Sequence, residues 1–569
     1  MQRHTISRML LLSSLLCLFA LLVTACASGA PQSSSNNSTK ALADKQIFRY
    51  PIGSSDFGTL DPALASLNID INAIEMVFTG LVAIKGDGSV VDQMAASHSI
   101  SSDGLTYTFT LKPNLKFSDG TPLTAHDIVW SINRALSPAT KSPTASYLEP
   151  IKDWEKMVTG KINTLIGDSL IAKDDNTVVI VLGHPAAYFL TPFAIVTALT
   201  VNKKLLDKYG NTWTDHLQEG AGAGPFMVQS YDHNKGLSLV PNPNYYGPKP
   251  KLQKVELLRS GDINTTYKTY QTGQLDYAAV PTVQLASAEK RNDYHSSPAL
   301  AIVFIAMNYL AKPFDNIKIR QALALAVNKD LIAQNVLHGS VIPTNHLMPE
   351  GVPGYDKNLT GPAGVASTKG DQEKAKQLLQ EGMKEAGYSS ISQLPLLKLA
   401  YFGDDSDFTN VVAVLAQQWQ SVLGITVQTN AQNSDVIVQQ IMNTTGNPGP
   451  LQMWQSEIGN YADPQGWLSF NFAKGAAFNT MNYGQNKSSD AAAQQAVQDE
   501  LQKADVNLDP QARMRQYNEA EQKLVNDVGW LPLYQAATQA LINPKLQNFT
   551  LQPLDVVAPD DWSNIYFVK

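Results

Sequence analysis

The chain has 569 residues, 44% of them apolar and 16% charged, with 36 glycines and 31 prolines. That length exceeds the roughly 250 to 300 residues at which one hydrophobic core stops growing, so several folded units are expected, and the composition excludes fibrous and disordered classes. Forty-three basic against 50 acidic side chains give a formal charge of -7, which lacks the basic footprint of a nucleic-acid binder and excludes DNA and RNA as partners.

Arg3 and Arg8 precede an apolar run over residues 9–23 that is broken only by two serines. The run is too short to span a bilayer and matches the core of an export signal, so residues 1–25 are predicted to be a signal peptide. It closes on Val23-Thr24-Ala25-Cys26, which resembles the bacterial lipobox, where cleavage precedes the cysteine and the new N-terminal residue is acylated. Cys26 is therefore the expected lipid anchor. The other cysteine, Cys17, leaves with the signal, so no disulfide is expected in this exported protein. Residues 26–40 are rich in Ser, Asn, Gly and Pro and carry too little apolar surface to fold, which predicts a flexible tether with folded structure from about residue 41. The expected location is the outer face of the cytoplasmic membrane, held by lipid alone.

Residues 105–112 alternate, with Leu105, Tyr107, Phe109 and Leu111 on one face and Thr106, Thr108, Thr110 and Lys112 on the other, as in a half-buried strand. Thr124 with Asp127 resembles a capping box, and Ile128, Ile132, Ala135 and Leu136 follow at helical spacing, which predicts a helix over 125–136. Asp371 is placed to cap a helix with Ala375, Leu378 and Leu379 as its apolar stripe and Gly387 past its end. A strand over 395–401, a helix over 411–423 and a strand over 425–429 follow. Strands alternating with helices predict α/β domains with open sheets, whose ligands bind in clefts at the carboxyl ends of the strands.

Motifs of catalysis and metal binding are weak. Gly220, Gly222 and Gly224 are spaced like part of a phosphate loop, but Pro225 and Phe226 follow where a helix should begin, so a turn is predicted. Gly167-Asp168-Ser169-Leu170 has the letters of the GDSL hydrolase signature. Such enzymes need a histidine in the C-terminal part, and the last one here, His346, is followed by 223 residues; the match is read as chance. The nine histidines are scattered without H-E-x-x-H, and His338 and His346 are too far apart to share a helical face, so no metal site and no cofactor are expected.

Several blocks in order along nearly the whole mature chain then carry a resemblance. They are Thr59-Leu60-Asp61-Pro62 and Phe78-Thr79-Gly80-Leu81-Val82; the run from Gly104 through Phe117-Ser118-Asp119-Gly120 to Ala125; Gly224-Pro225-Phe226 with Asn242-Pro243-Asn244-Tyr245-Tyr246; Pro313-Phe314-Asp315 with Arg320-Gln321-Ala322-Leu323; Tyr461-Ala462-Asp463-Pro464; and Trp530-Leu531-Pro532-Leu533-Tyr534. Together they resemble the oligopeptide and dipeptide group of extracellular solute-binding proteins that serve ABC importers.

The resemblance implies a bilobal, periplasmic-binding-protein-like α/β fold. Its first lobe would combine residues 41–79, 186–307 and 534–569, with an inserted small domain over 80–185, and its second lobe would run over 308–533. Crossing segments at 303–307 and 530–534 would form the hinge. It further implies a monomer that binds an extended peptide through main-chain hydrogen bonds, with side chains in hydrated pockets, and delivers it to permease subunits. Ser66, Leu67 and Asn68 fall where the family contacts ligand from the first lobe, and Glu457, Gly459 and Asn460 where it does so from the second. The chain departs from the pattern at two places. Peptide-binding members carry an aspartate that holds the ligand's α-amino group where this chain has Asn460, and the oligopeptide type carries a carboxylate-binding arginine where it has Trp454. Asp463, before Pro464, is read as fixing a turn. With both charged anchors missing, the expected ligand is a capped or neutral peptide, or another polar solute such as a sugar. A peptide-sensing receptor without transport is the remaining alternative.

Overall fold

The computed structural model describes residues 45–569. The expected signal peptide, Cys26 and the expected tether lie outside the described residues.

The first strand, β1 (Ile47–Pro51), leads to helix α1 (Asn68–Val77). An antiparallel sheet follows, built from β2 (Ala95–Ile100), β3 (Thr106–Leu111), β4 (Leu170–Asp174) and β5 (Thr177–Val181) in the order β2-β3-β5-β4. The alternation in β3 works as expected: Tyr107, Phe109 and Leu111 are buried while the threonines between them reach solvent. Helix α2 (Ala125–Ala135) packs Ile128, Val129 and Ile132 into the same core, and its start is fixed by the Thr124 N–H donating to Asp127 Oδ2 at 2.8 Å.

Strands β6 (Phe226–Asp232), β7 (Gly236–Pro241) and β8 (Lys254–Leu258) form an antiparallel meander, which β1 extends by pairing parallel to β8. This sheet shares a core, including Phe48, Val77, Phe226 and Val255, with the last residues of the chain, Ile565 and Phe567. The Gln46 side chain donates to the Phe567 carbonyl at 2.9 Å and accepts the Phe567 N–H at 3.0 Å. Gly222 and Gly224 of the triplet lie against the end of α1: the Gly224 N–H donates to the Val77 carbonyl at 2.8 Å. A Cβ on Gly222 would stand 2.2 Å from that same oxygen, so these glycines serve a close backbone approach, in keeping with the expected turn.

A seven-stranded mixed sheet organises the rest. After β9 (Tyr277–Ala279) comes the long β10 (Tyr294–Met307), then α3 (Gln372–Glu385), β11 (Leu397–Phe402), α4 (Ser406–Leu423), β12 (Val427–Gln432), β13 (Met453–Gly459), α5 (Ala491–Asp505), α6 (Pro510–Asp527) and β14 (Leu531–Ile542). The order is β9-β14-β10-β13-β11-β12, with Ile342–Pro343 beside β14. One face packs Ile305, Leu399, Leu415 and Trp419; the other packs Ile302, Trp454, Trp467 and Trp530. The long pair β10 and β14 joins this body to the first one, and their register shifts between Pro298 and Ile302 and again between Val303 and Phe304.

Asp371 caps α3 by accepting the Lys374 N–H at 2.9 Å, and Gly387 follows the helix at a φ of +81°. Helix α4 begins at Ser406, five residues before the expected start at Val411. Asp405 accounts for the difference, because its carboxylate accepts the N–H groups of Asp407 and Phe408 and so starts the helix inside a polar run.

Candidate functional site

Strand β13 is paired with β10 along its whole length, from Met307 opposite Met453 to Ala301 opposite Gly459. On its other edge β11 covers only Met453 and Trp454. The remaining edge, from Gln455 to Gly459, presents main-chain donors and acceptors without a strand partner, which is the feature an extended chain can complete. Side chains alternate along it, so Met453, Gln455 and Glu457 share one face and Trp454, Ser456 and Ile458 the other. Trp454 is 1% exposed and belongs to the core that contains Trp467 and Trp530. It therefore stands inside the core and not on the open edge, in a stretch of the strand that is buried on both faces. Glu457 and Gly459 are exposed, whereas Asn460 is buried.

Both polar atoms of Asn460 are engaged locally. Its Nδ2 donates to the Gly466 carbonyl at 2.6 Å, and its Oδ1 accepts the Tyr461 N–H at 2.9 Å. Within the same turn, Asp463 Oδ1 accepts the Gln465 N–H at 2.9 Å, and the Asp463 carboxylate receives two bonds from Arg513 at 2.9 and 2.5 Å. The Arg513 guanidinium lies 5.6 Å from the centre of the Tyr188 ring. The turn thus consumes its own polar groups, and Asp463 has no free charge to offer a ligand.

Ser66, Leu67 and Asn68 are exposed together at the head of α1, where the Leu67 carbonyl accepts the N–H groups of Asp70 and Ile71. Helical spacing carries Asn68, Asn72 and Glu75 along one face. Glu75 makes no hydrogen bond or ion pair among the described residues, and burial together with the Asp555 charge pushes its carboxyl up to about 8. Burial likewise pushes Asp555 up to about 6, against a hydrogen bond with Asn72. Glu457 is also without a partner among the described residues; protein walls around it and the nearby Asp405 raise its pKa. The Thr282 hydroxyl, upstream of β10, reaches the opening of α4 by donating to Asp407 Oδ2 at 2.7 Å. Sequence reasoning missed Glu75 and Gln455, although Glu75 stands seven residues from Asn68 on one helical face and Gln455 two residues from Glu457 on one strand face.

A separate cavity of about 790 Å³ opens between Tyr147, Trp154 and His184 on one side and Phe470, Phe478 and Asp505 on the other. Tyr147 stacks on Phe470 with ring centres 5.3 Å apart, and burial pushes Asp505 up to about 6. Ser169 of the hydrolase-like tetrapeptide is fully buried, and its hydroxyl reaches only Asp168, at 3.4 Å. Among the described residues no helix is long and apolar enough to cross a membrane.

The family model of the bacterial extracellular solute-binding proteins, family 5, matches residues 89–479. The oligopeptide-binding protein OppA of Bacillus subtilis is 30% identical over 80% of this chain and 82% of its own length. The Escherichia coli protein YgiS, described as a probable deoxycholate-binding periplasmic protein, is 30% identical over 91% of this chain and 93% of its own. Among solved structures, the murein tripeptide binding protein MppA of Escherichia coli superposes with a TM-score of 0.75 at 26% identity, covering 93% of this chain and 99% of that one. The bilobal architecture is common to these structural neighbours and to the fold described above.

Proposed function

Because the chain belongs to the family 5 bacterial extracellular solute-binding proteins, we propose that it captures a peptide between its lobes and delivers it to the permease subunits of an ABC importer. The observation that carries this reading is the unpaired edge of β13 from Gln455 to Gly459. A peptide laid along it bonds through its own backbone, which supplies affinity with little regard to side-chain identity. Ser66, Leu67 and Asn68 meet the same ligand from the head of α1. In this reading residues 41–79, 186–307 and 534–569 form the first lobe, 80–185 the domain beside it and 308–533 the second lobe, and a ligand touching both lobes favours their closure. The protein works as a carrier without catalysis, and as a monomer.

The test is calorimetry with pentaalanine, free and N-acetylated. Asn460 brings no charge to an α-amine, and Asp463 is held by Arg513, so the two peptides are expected to bind within about threefold of each other. A preference for the free amine above about tenfold, or about 1.4 kcal/mol, would mean that another carboxylate such as Glu457 takes the amine. Silence of both peptides, with binding of deoxycholate, would sink the peptide reading altogether.

Cys26 is proposed as the lipid anchor on the strength of the Val23-Thr24-Ala25-Cys26 sequence. Cys26→Ser is expected to move the protein from the membrane fraction to the soluble one, read by immunoblot after a salt wash. Retention of the variant in the pellet would refute the assignment.

A further inference from the structure

The second-lobe wall carries a group that the backbone reading leaves unexplained. Gln455 is fully buried, yet neither its Nε2 nor its Oε1 has a hydrogen-bond partner among the described residues. Buried amides are nearly always satisfied, because a desolvated polar atom without a partner costs more than an ordinary hydrogen bond gains. By strand alternation Gln455 shares its face with Met453, which lies in the core, and with Glu457, which is exposed. Its amide therefore lies on the strand face that Glu457 occupies two residues further on.

Charge around that face has one sign. Glu457 is acted on by Asp405, and Tyr534, across β10 on β14, feels Glu457, Asp405 and Asp407, with no cation among the described residues offsetting them. The start of α4 does not act as an anion site here, since the Asp405 carboxylate already accepts its first free N–H groups. Among the described residues Glu457 has no ion-pair partner. An exposed carboxylate without a counter-charge, on the same strand face as an amide without partners, is an arrangement completed by a group that is positively charged and rich in N–H donors.

We propose that Glu457 and Gln455 form a subsite for a positively charged side chain of the bound peptide, a lysine ammonium or an arginine guanidinium. The ligand's N–H groups donate to the Glu457 carboxylate and to Gln455 Oε1. Gln455 Nε2 then donates to an acceptor brought by the ligand or its water. The ligand class is therefore cationic, and acidic peptides are disfavoured. This specificity rests on the peptide reading of the cleft.

The experiment is a lysine scan. Pentaalanine, N-acetylated and C-amidated so that lysine is the only charge, is made with lysine or its neutral isostere norleucine at each of the five positions, and binding is measured by calorimetry. At one position lysine is expected to bind at least about tenfold more tightly than norleucine. Glu457→Gln, an exposed and isosteric change, is expected to reduce that preference to within about threefold. If the peptides bind with no lysine preference at any position, or if Glu457→Gln keeps the preference, the subsite is wrong and the peptide reading stands. If no peptide of the set binds, and uncapped pentaalanine does not either, the peptide reading fails and the subsite fails with it.

Discussion

Replacing Asp463 with alanine is expected to lower the unfolding free energy by about 3 to 5 kcal/mol, the usual consequence of stranding one partner of a buried ion pair. Arg513 is 4% exposed and Asp463 8% exposed, and the two are joined by a two-pronged contact. Without the carboxylate, the guanidinium stays desolvated between Tyr188 and Tyr517, to whose ring centres it lies at 5.6 and 4.9 Å. Aromatic faces attract it but cannot replace a full counter-charge. The double variant Asp463→Ala/Arg513→Met should recover much of the loss, because removing both charges removes the desolvation cost along with the attraction. Guanidinium-induced unfolding of the three proteins decides the matter, and a loss below about 1 kcal/mol in the single variant would show that Arg513 escapes to water. Since Asp463 also accepts the Gln465 N–H, the single variant should in addition loosen the turn that presents Gly459 and Asn460.

A second large effect is expected at Gly222. An added methyl would stand 2.2 Å from the Val77 carbonyl oxygen and 2.9 Å from the Phe78 ring. The backbone at the end of α1 cannot retreat, because the Gly224 N–H is bonded to that same carbonyl at 2.8 Å. Gly222→Ala should therefore cost about 3 kcal/mol, at the upper end of overpacking effects. Gly387 supplies the control: its φ is +81° with nothing within 4 Å of a built Cβ. Gly387→Ala should cost only the left-handed strain of about 1 kcal/mol. Equal shifts of the denaturation midpoint in the two variants would contradict the steric argument.

Local signals read from the sequence were reliable where chemistry and periodicity coincide. Thr124 with Asp127, and Asp371 with Gly387, each mark a helix by a cap and a stripe that depend on neighbours in sequence, and the structure uses them as written. The start of α4 was harder to see, because Asp404-Asp405-Ser406-Asp407 reads as a loop until one of its carboxylates is known to turn back on the N–H groups beyond it. Trp454 illustrates a different limit. Aligning a motif fixes the position of a residue in the chain, but the face it occupies depends on the pairing of β13 with β10, a contact nearly 150 residues away in sequence. The commitment of Asp463 to Arg513, and the lack of any partner for Gln455, likewise arise from packing between distant segments, for which periodicity carries no signal.

The clasp between Gln46 and Phe567 has a consequence for synthesis. A ribosome releases the chain from its N-terminal end, and most folding units can form as soon as their own residues emerge. Here the sheet that contains β1 shares its core with Ala540, Ile542, Trp562, Ile565 and Phe567, so β1 must wait for residues far downstream of it. The body built around Leu399, Leu415 and Trp419 draws on nothing past Tyr534 and is free to form earlier. Birth order and folding order are thus inverted, and a chain cut short before Ala540 would carry a finished core around Leu399, Leu415 and Trp419 beside a β1 sheet whose own core stays incomplete.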